Sequence, residues 1–234
     1  MPMFEPLKGL FRGTKGGPHG IGPASASPGR RSPFGGRGSD AVVSTRPSRG
    51  LEEFFTQIRD TTGLTILDLG GANQQNVSFI TGLGHRLYSE NFLQILNDTF
   101  GLDDPSDQSN PGQIDYFLKQ TLDYEDGYFD GVLLWDLLEY LNPALLTAVV
   151  ERLHRVVRGK SYMLAFFHAD DKLAAVPYYT FRIQAVKTLE VTQSGLHRPA
   201  QLHNNRSVEK LFGKFESVKF FLTKEQLREV IVKA

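Results

Sequence analysis

Three apolar runs, each handing the chain to a polar residue, constrain this sequence most: TIL before Asp68, FDGVLLW before Asp136 and SYMLAFF before His168. The second and third are greasy on both faces, which places them in the middle of a sheet covered on both sides. Between them Asn142 and Pro143 supply a helix N-cap and first helical position. Leu146, Val149, Val150, Leu153 and Val157 then mark one helical face until Gly159 ends it. Strand, helix, strand in this order predicts an α/β fold with a mainly parallel sheet, whose strand C-termini gather any ligand along one edge.

The flanking sequence extends the alternation. Leu51, Phe54, Phe55 and Ile58 have helical spacing and Gly63 is a stop, so a helix is expected over 51–63 and a short strand over 64–67. A helix over 73–81, a strand over 85–90 and a helical segment over 92–96 follow. The stretch GLDDPSDQSNPG at 101–112 reads as a turn-rich loop. Residues 179–191 have the content of one strand or two, and 206–215 place Val208, Leu211, Phe212 and Phe215 on one helical face. KFFL and EVIV then predict two late strands, at least one antiparallel.

The chain of 234 residues has a formal net charge of +0 and no cysteine. Disulfides, thiolate metal sites and cysteine nucleophiles are therefore excluded. No run of about 18 uncharged apolar residues exists, so a membrane span is not expected, and a cytoplasmic enzyme is. The first 49 residues hold eight basic side chains against Glu5 and Asp40, a net +6, amid dense Gly, Pro and Ser. Such a segment buries too little apolar surface to offset ordering entropy. It predicts a disordered basic tail over 1–48 and a folded domain over 49–234. The tail either only solvates or meets an acidic partner such as a nucleic acid, while FEPLKGLF at 4–11 is apolar enough to dock on the body.

The loop after Asp68 reads LGGANQQN. Glycines after a strand let backbone approach a ligand, and the next helix offers free N–H groups. The spacing does not fit G-x-G-x-x-G, and no Lys-Ser or Lys-Thr pair follows as in a P-loop. Asp68, two residues before Gly70, would repel a pyrophosphate but suits a cation such as an ammonium or sulfonium. LDLGGAN resembles the acid-x-Gly-x-Gly motif of class I S-adenosylmethionine-dependent methyltransferases, specifically the small-molecule, type 11-like branch. DYEDGYFDGVLLWDLLEYLNP is similar to that family's passage through its fourth strand, and ERLHRVVRGKSYMLAFF to the helix and strand beyond. Glu90, 22 residues after Asp68, matches the acid that grips the ribose hydroxyls.

The resemblance implies a three-layer αβα Rossmann-like methyltransferase fold and S-adenosyl-L-methionine as cofactor, held by Asp68, Gly70, Gly71, Ala72, Asn73, Glu90, Asn91, Trp135, Asp136 and Leu137. Departures are local. Ala72 replaces a glycine, tolerable if φ stays negative there; Gln74 replaces another, and Tyr140 replaces the histidine of a Leu-Glu-His signature. The aspartate that takes the adenine amino group in many relatives aligns with Phe117 or Leu118, leaving Gln120, Thr121 or Asp123 as substitutes. His168 stands either as a proton acceptor at the cleft or as a hydrogen-bonded structural residue, and His197 and His203 lack metal-ligand spacing. No catalytic residue and no metal is assigned. The expected activity is methyl transfer to a small molecule or protein side chain rather than a nucleobase; the alternative is a non-catalytic scaffold on the same fold.

Overall fold

The computed structural model describes residues 41–101, 108–221 and 226–234. FEPLKGLF and most of the basic segment lie outside the described residues, as does 102–107 of the expected loop. The described chain begins with a strand, β1 (Val42–Pro47), followed by α1 (Arg49–Ile58), β2 (Thr65–Asp68), α2 (Gln74–Gly82), β3 (Arg86–Ser89) and α3 (Phe92–Phe100). Then come α4 (Pro111–Thr121), β4 (Phe129–Trp135), a 3-10 turn at Leu137–Tyr140, α5 (Pro143–Val156), β5 (Val157–His168), β6 (Val176–Ala185), β7 (Thr188–His197), α6 (Asn205–Leu211), β8 (Ser217–Phe221) and β9 (Leu227–Lys233).

Six strands form the main sheet in the order β3-β2-β4-β5-β9-β8. The first four are parallel, and β9 alone runs against them, pairing antiparallel with both β5 and β8, the α/β fold expected with its antiparallel C-terminal strand. From β2 the chain steps outward to β3 and then returns to β4 on the other side. The sheet thus reverses its direction of growth between β2 and β4, and such a switch point opens a crevice at the strand C-termini. Asp68 ends β2 and Trp135 ends β4, so both stand at its mouth.

Two apolar layers cover the sheet. On one face Leu51, Phe54, Phe55 and Ile58 of α1, with Ile80 of α2, pack against Ile66, Leu133, Leu164, Phe166 and Ile231. On the other, α3, α4, α5 and α6 bury Phe92, Phe117, Leu153 and Val208 against Leu67, Val132, Leu134 and Val232. No helix among the described residues is long and apolar enough to cross a membrane.

Three sequence expectations are corrected. The folded body starts before residue 49: β1 pairs antiparallel with β7 from Val42↔Gln193 to Pro47↔Thr188. Its Arg46 is buried against Glu229 at 2.8 Å, so an ordered strand emerges from low-complexity surroundings because of one ion pair and one strand partner. Residues 179–191 do form two strands, and this hairpin of β6 and β7 joins β1 in a separate three-stranded sheet. The 101–112 loop ends in a helix start, where Asn110 caps α4 and Pro111 takes its first position. Finally, β5 begins at Val157, straight out of α5, and Lys160 absorbs the kink at φ 70°.

Candidate cofactor and acceptor site

The strand-to-helix loop is built around one buried carboxylate. Asp68 is fully buried; its Oδ1 accepts the Gly70 N–H at 2.9 Å and the Trp135 indole N–H at 2.7 Å, and its Oδ2 accepts from the Asn76 amide at 3.0 Å. Burial pushes its pKa up while these three donors oppose the rise. Three protein donors thus hold Asp68, which ties the loop to Trp135 and Asn76. Asn76 also bridges to the hairpin, accepting the Ile183 N–H at 2.8 Å.

Trp135 completes this arrangement. Its φ of 53° is rare for a bulky residue, and it turns the indole back over the loop. A Cβ on Gly70 would lie 2.7 Å from the ring, so this position has room only for glycine. The indole stacks on Phe181 at 5.0 Å and 7° and meets Phe166 edge-on. Gly71 takes the positive φ of the loop, 85°, and its N–H donates to the Glu90 carbonyl at 3.0 Å. Ala72 is not among the positive-φ residues, so the missing glycine leaves no strain.

Around this core, Gly70, Ala72 and Asn91 are exposed and Asn73 and Glu90 half-buried, forming an open shelf beyond β2 and β3. Asn73 caps α2, accepting the Asn76 N–H at 2.8 Å, and Asn91 caps α3. Glu90 Oε1 accepts from the Tyr124 hydroxyl at 2.5 Å; burial and this bond raise the phenol's pKa well above its usual value. Tyr124 belongs to a ring cluster with Tyr88, Tyr128 and Phe129, and sequence periodicity gave it no distinction. Of the adenine candidates, Gln120 and Asp123 are exposed, and Thr121 is buried with its hydroxyl donating to the Phe117 carbonyl. The segment aligned with the family's third strand is helix α4.

The far wall is the turn after β4. Asp136 is buried, stands at the N-cap position without a side-chain capping bond, and its Oδ2 has no partner. Desolvation raises its pKa to about 7. Leu137 is buried beside it. One turn on, Glu139 accepts from His168 twice: from Nδ1 at 2.6 Å and from the backbone N–H at 3.1 Å. His168 is thus buried and hydrogen-bonded, joining the ends of β4 and β5. Tyr140 stacks on His197 at 4.2 Å, and the same imidazole stacks on Tyr178 at 4.5 Å. Burial lowers the His197 pKa to about 4. Glu139 carried no signal in the sequence beyond lying one position before Tyr140.

No family model and no curated protein matches the chain. Among solved structures, it is similar to a 1,6-didemethyltoxoflavin-N1-methyltransferase of Burkholderia thailandensis solved with S-adenosylhomocysteine, at 12% identity and a TM-score of 0.41, covering 78% of this chain and 74% of that one. A SAM-dependent methyltransferase of Bacteroides fragilis, in complex with S-adenosyl-L-homocysteine, matches at 8% identity and 0.43, covering 83% and 87%. One from Archaeoglobus fulgidus matches at 14% and 0.41, covering 79% and 91%.

Proposed function

We propose that this chain is an S-adenosylmethionine-dependent methyltransferase that binds its cofactor at the switch point between β2 and β4 and passes the methyl group to a small molecule or a protein side chain. The observation that carries the reading is Asp136: a buried carboxylate beside the switch point with one oxygen unpartnered. Such a group costs about 1–3 kcal/mol unless a ligand or water satisfies it, and an α-ammonium supplies both donor and positive charge. Glu90, one residue past β3, would take the ribose diol with the oxygen that does not accept from Tyr124. Exposed Gly70 and Ala72, half-buried Asn73 and the cap residue Asn91 would form the floor between them.

The cofactor supplies an already activated methyl group on its sulfonium; the protein's share is to hold the two reactants in line. Trp135 is the only tryptophan and touches the loop, so its fluorescence is a built-in reporter. Titration with S-adenosylmethionine and with S-adenosylhomocysteine is expected to change Trp135 emission saturably, with matching heats in calorimetry. No change and no heat at millimolar ligand would sink the reading.

A second reading, a non-catalytic scaffold on this fold, is favoured by a specific observation. Asp68 is engaged by Trp135, and Glu90 shares its carboxylate with Tyr124. The same titration decides between them.

A further inference from the structure

Next to Asp136, read above as the partner of the cofactor's ammonium, two further side chains are incomplete. Asp136 Oδ2, Tyr140 Oη and His168 Nε2 have no hydrogen-bond partner, and their residues are only 2%, 5% and 2% exposed. They come from the turn after β4 and the end of β5, and Asp136 feels the charge of His168 and Glu139 while Tyr140 feels that of Asp136. One orphaned polar atom in a core is tolerable; three in one patch, beside a switch point, mark a place built for polar groups of a ligand.

The hydrogen bonds fix what each orphan wants. Glu139 is engaged by two N–H groups of one residue, the His168 backbone and Nδ1. The Nδ1 proton is therefore held by the carboxylate, and Nε2 is left with its lone pair. Arg228, donating to the His168 carbonyl at 2.8 Å, secures the strand end behind it. An ionised Asp136 also accepts. For the acceptor, the His168 Nε2 lone pair asks for a donor, while the Tyr140 hydroxyl can donate or accept, a pairing that one hydroxyl group satisfies. Tyr140, His197 and Tyr178 stack on one another beside these groups, and Tyr179 lies 5.7 Å from the His168 ring, so their surroundings are aromatic.

We infer that Glu139 and His168 form a proton-accepting dyad for a hydroxyaromatic methyl acceptor. The inference rests on the methyltransferase reading. In the step, the acceptor's hydroxyl oxygen bonds to the methyl carbon while the carbon–sulfur bond breaks with its electron pair leaving on sulfur. The hydroxyl proton passes to His168 Nε2, and Glu139 stabilises the imidazolium. A phenol's acidity suits an imidazole base better than an aliphatic alcohol's does.

The test uses the full chain saturated with S-adenosylhomocysteine and 4-nitrophenol as the acceptor probe. Bound probe is expected to ionise about one pH unit below its solution value, because the imidazolium–glutamate pair favours the phenolate. His168→Gln and Glu139→Gln are expected to abolish that shift while changing S-adenosylhomocysteine affinity less than twofold. Nitrogen NMR of the unaltered protein is expected to show the His168 proton on Nδ1, which needs no variant to fold. A proton on Nε2, or a 4-nitrophenol that binds as the neutral phenol or does not bind to the S-adenosylhomocysteine complex, overturns the proposal alone. Failure of S-adenosylhomocysteine to bind removes the methyltransferase reading and the dyad's role with it.

Discussion

The indole N–H of Trp135 donates to Asp68 Oδ1 at 2.7 Å, joining the ends of two neighbouring parallel strands at the point where the sheet reverses its growth. The same carboxylate holds the Gly70 N–H and, through Asn76, the β6 strand. One buried acid therefore sets the loop, the indole and the hairpin together. Trp135→Phe keeps the stacking on Phe181 but deletes the donor, so a loss of about 2 kcal/mol in urea unfolding is expected. A change under about 0.5 kcal/mol would show the bond to be incidental.

The Arg46–Glu229 pair ties β1 to the main sheet, with side chains 8% and 0% exposed. Glu229 also accepts the Gly50 N–H at 2.6 Å, at the start of α1. Removing residues 41–48 in addition to 1–40 strands a buried carboxylate, and a loss of about 3 kcal/mol is expected. Glu229→Gln in the shorter chain should recover part of it. Comparing melting curves of the two truncations and that double variant checks this.

Asp136 makes stability and ligand binding respond oppositely to pH. Burial pushes its folded pKa to about 7, above the ordinary aspartate value of 3.8, so its neutral form stabilises the fold below pH 4 and that contribution is lost as pH rises through 7. Asp136→Asn removes this loss, and at pH 8 it is expected to raise the unfolding free energy by about 2 kcal/mol. Affinity for an ammonium-bearing cofactor runs the other way, increasing through pH 7 as the carboxylate ionises. Unfolding curves and calorimetry at pH 5.5 and 8 read both signs.

Gly71 carries the loop's left-handed turn at φ 85°. A Cβ there would meet Asn91 at 3.5 Å, an ordinary contact, so Gly71→Ala suffers from backbone strain and not from a clash. A loss of about 1–2 kcal/mol is expected, with weaker cofactor binding as the loop shifts against Glu90. Ala72→Gly, at a position without positive φ, should leave both unchanged within error.

Much of this fold could be read from local pattern. FDGVLLW and SYMLAFFH are apolar on both faces, and burial on both faces has one common solution, so β4 and β5 emerge where the runs lie. The N-cap Asn142 was equally visible because capping is a local bond. What escaped depends on partners distant in sequence. Nothing in VVSTRP says strand until β7 offers its edge and Glu229 its carboxylate, 183 residues from Arg46. The hairpin's separate sheet and the Glu139–His168 contact, 29 residues apart, are likewise tertiary facts. At the site, Asp68 and Glu90 could be located, but not that Trp135 and Tyr124 would donate to them, since a donor's direction is set by packing.

The central claim is a cofactor pocket spanning Glu90 and Asp136, and calorimetry with S-adenosylhomocysteine on three proteins tests it most directly. The unaltered chain is expected to bind with micromolar affinity. Glu90→Ala should weaken this at least tenfold, since losing a charge-assisted pair costs about 1.5–3 kcal/mol, and Asp136→Asn should weaken it and flatten its pH dependence. Absence of binding to the unaltered chain, or affinity that neither substitution moves, would contradict the account.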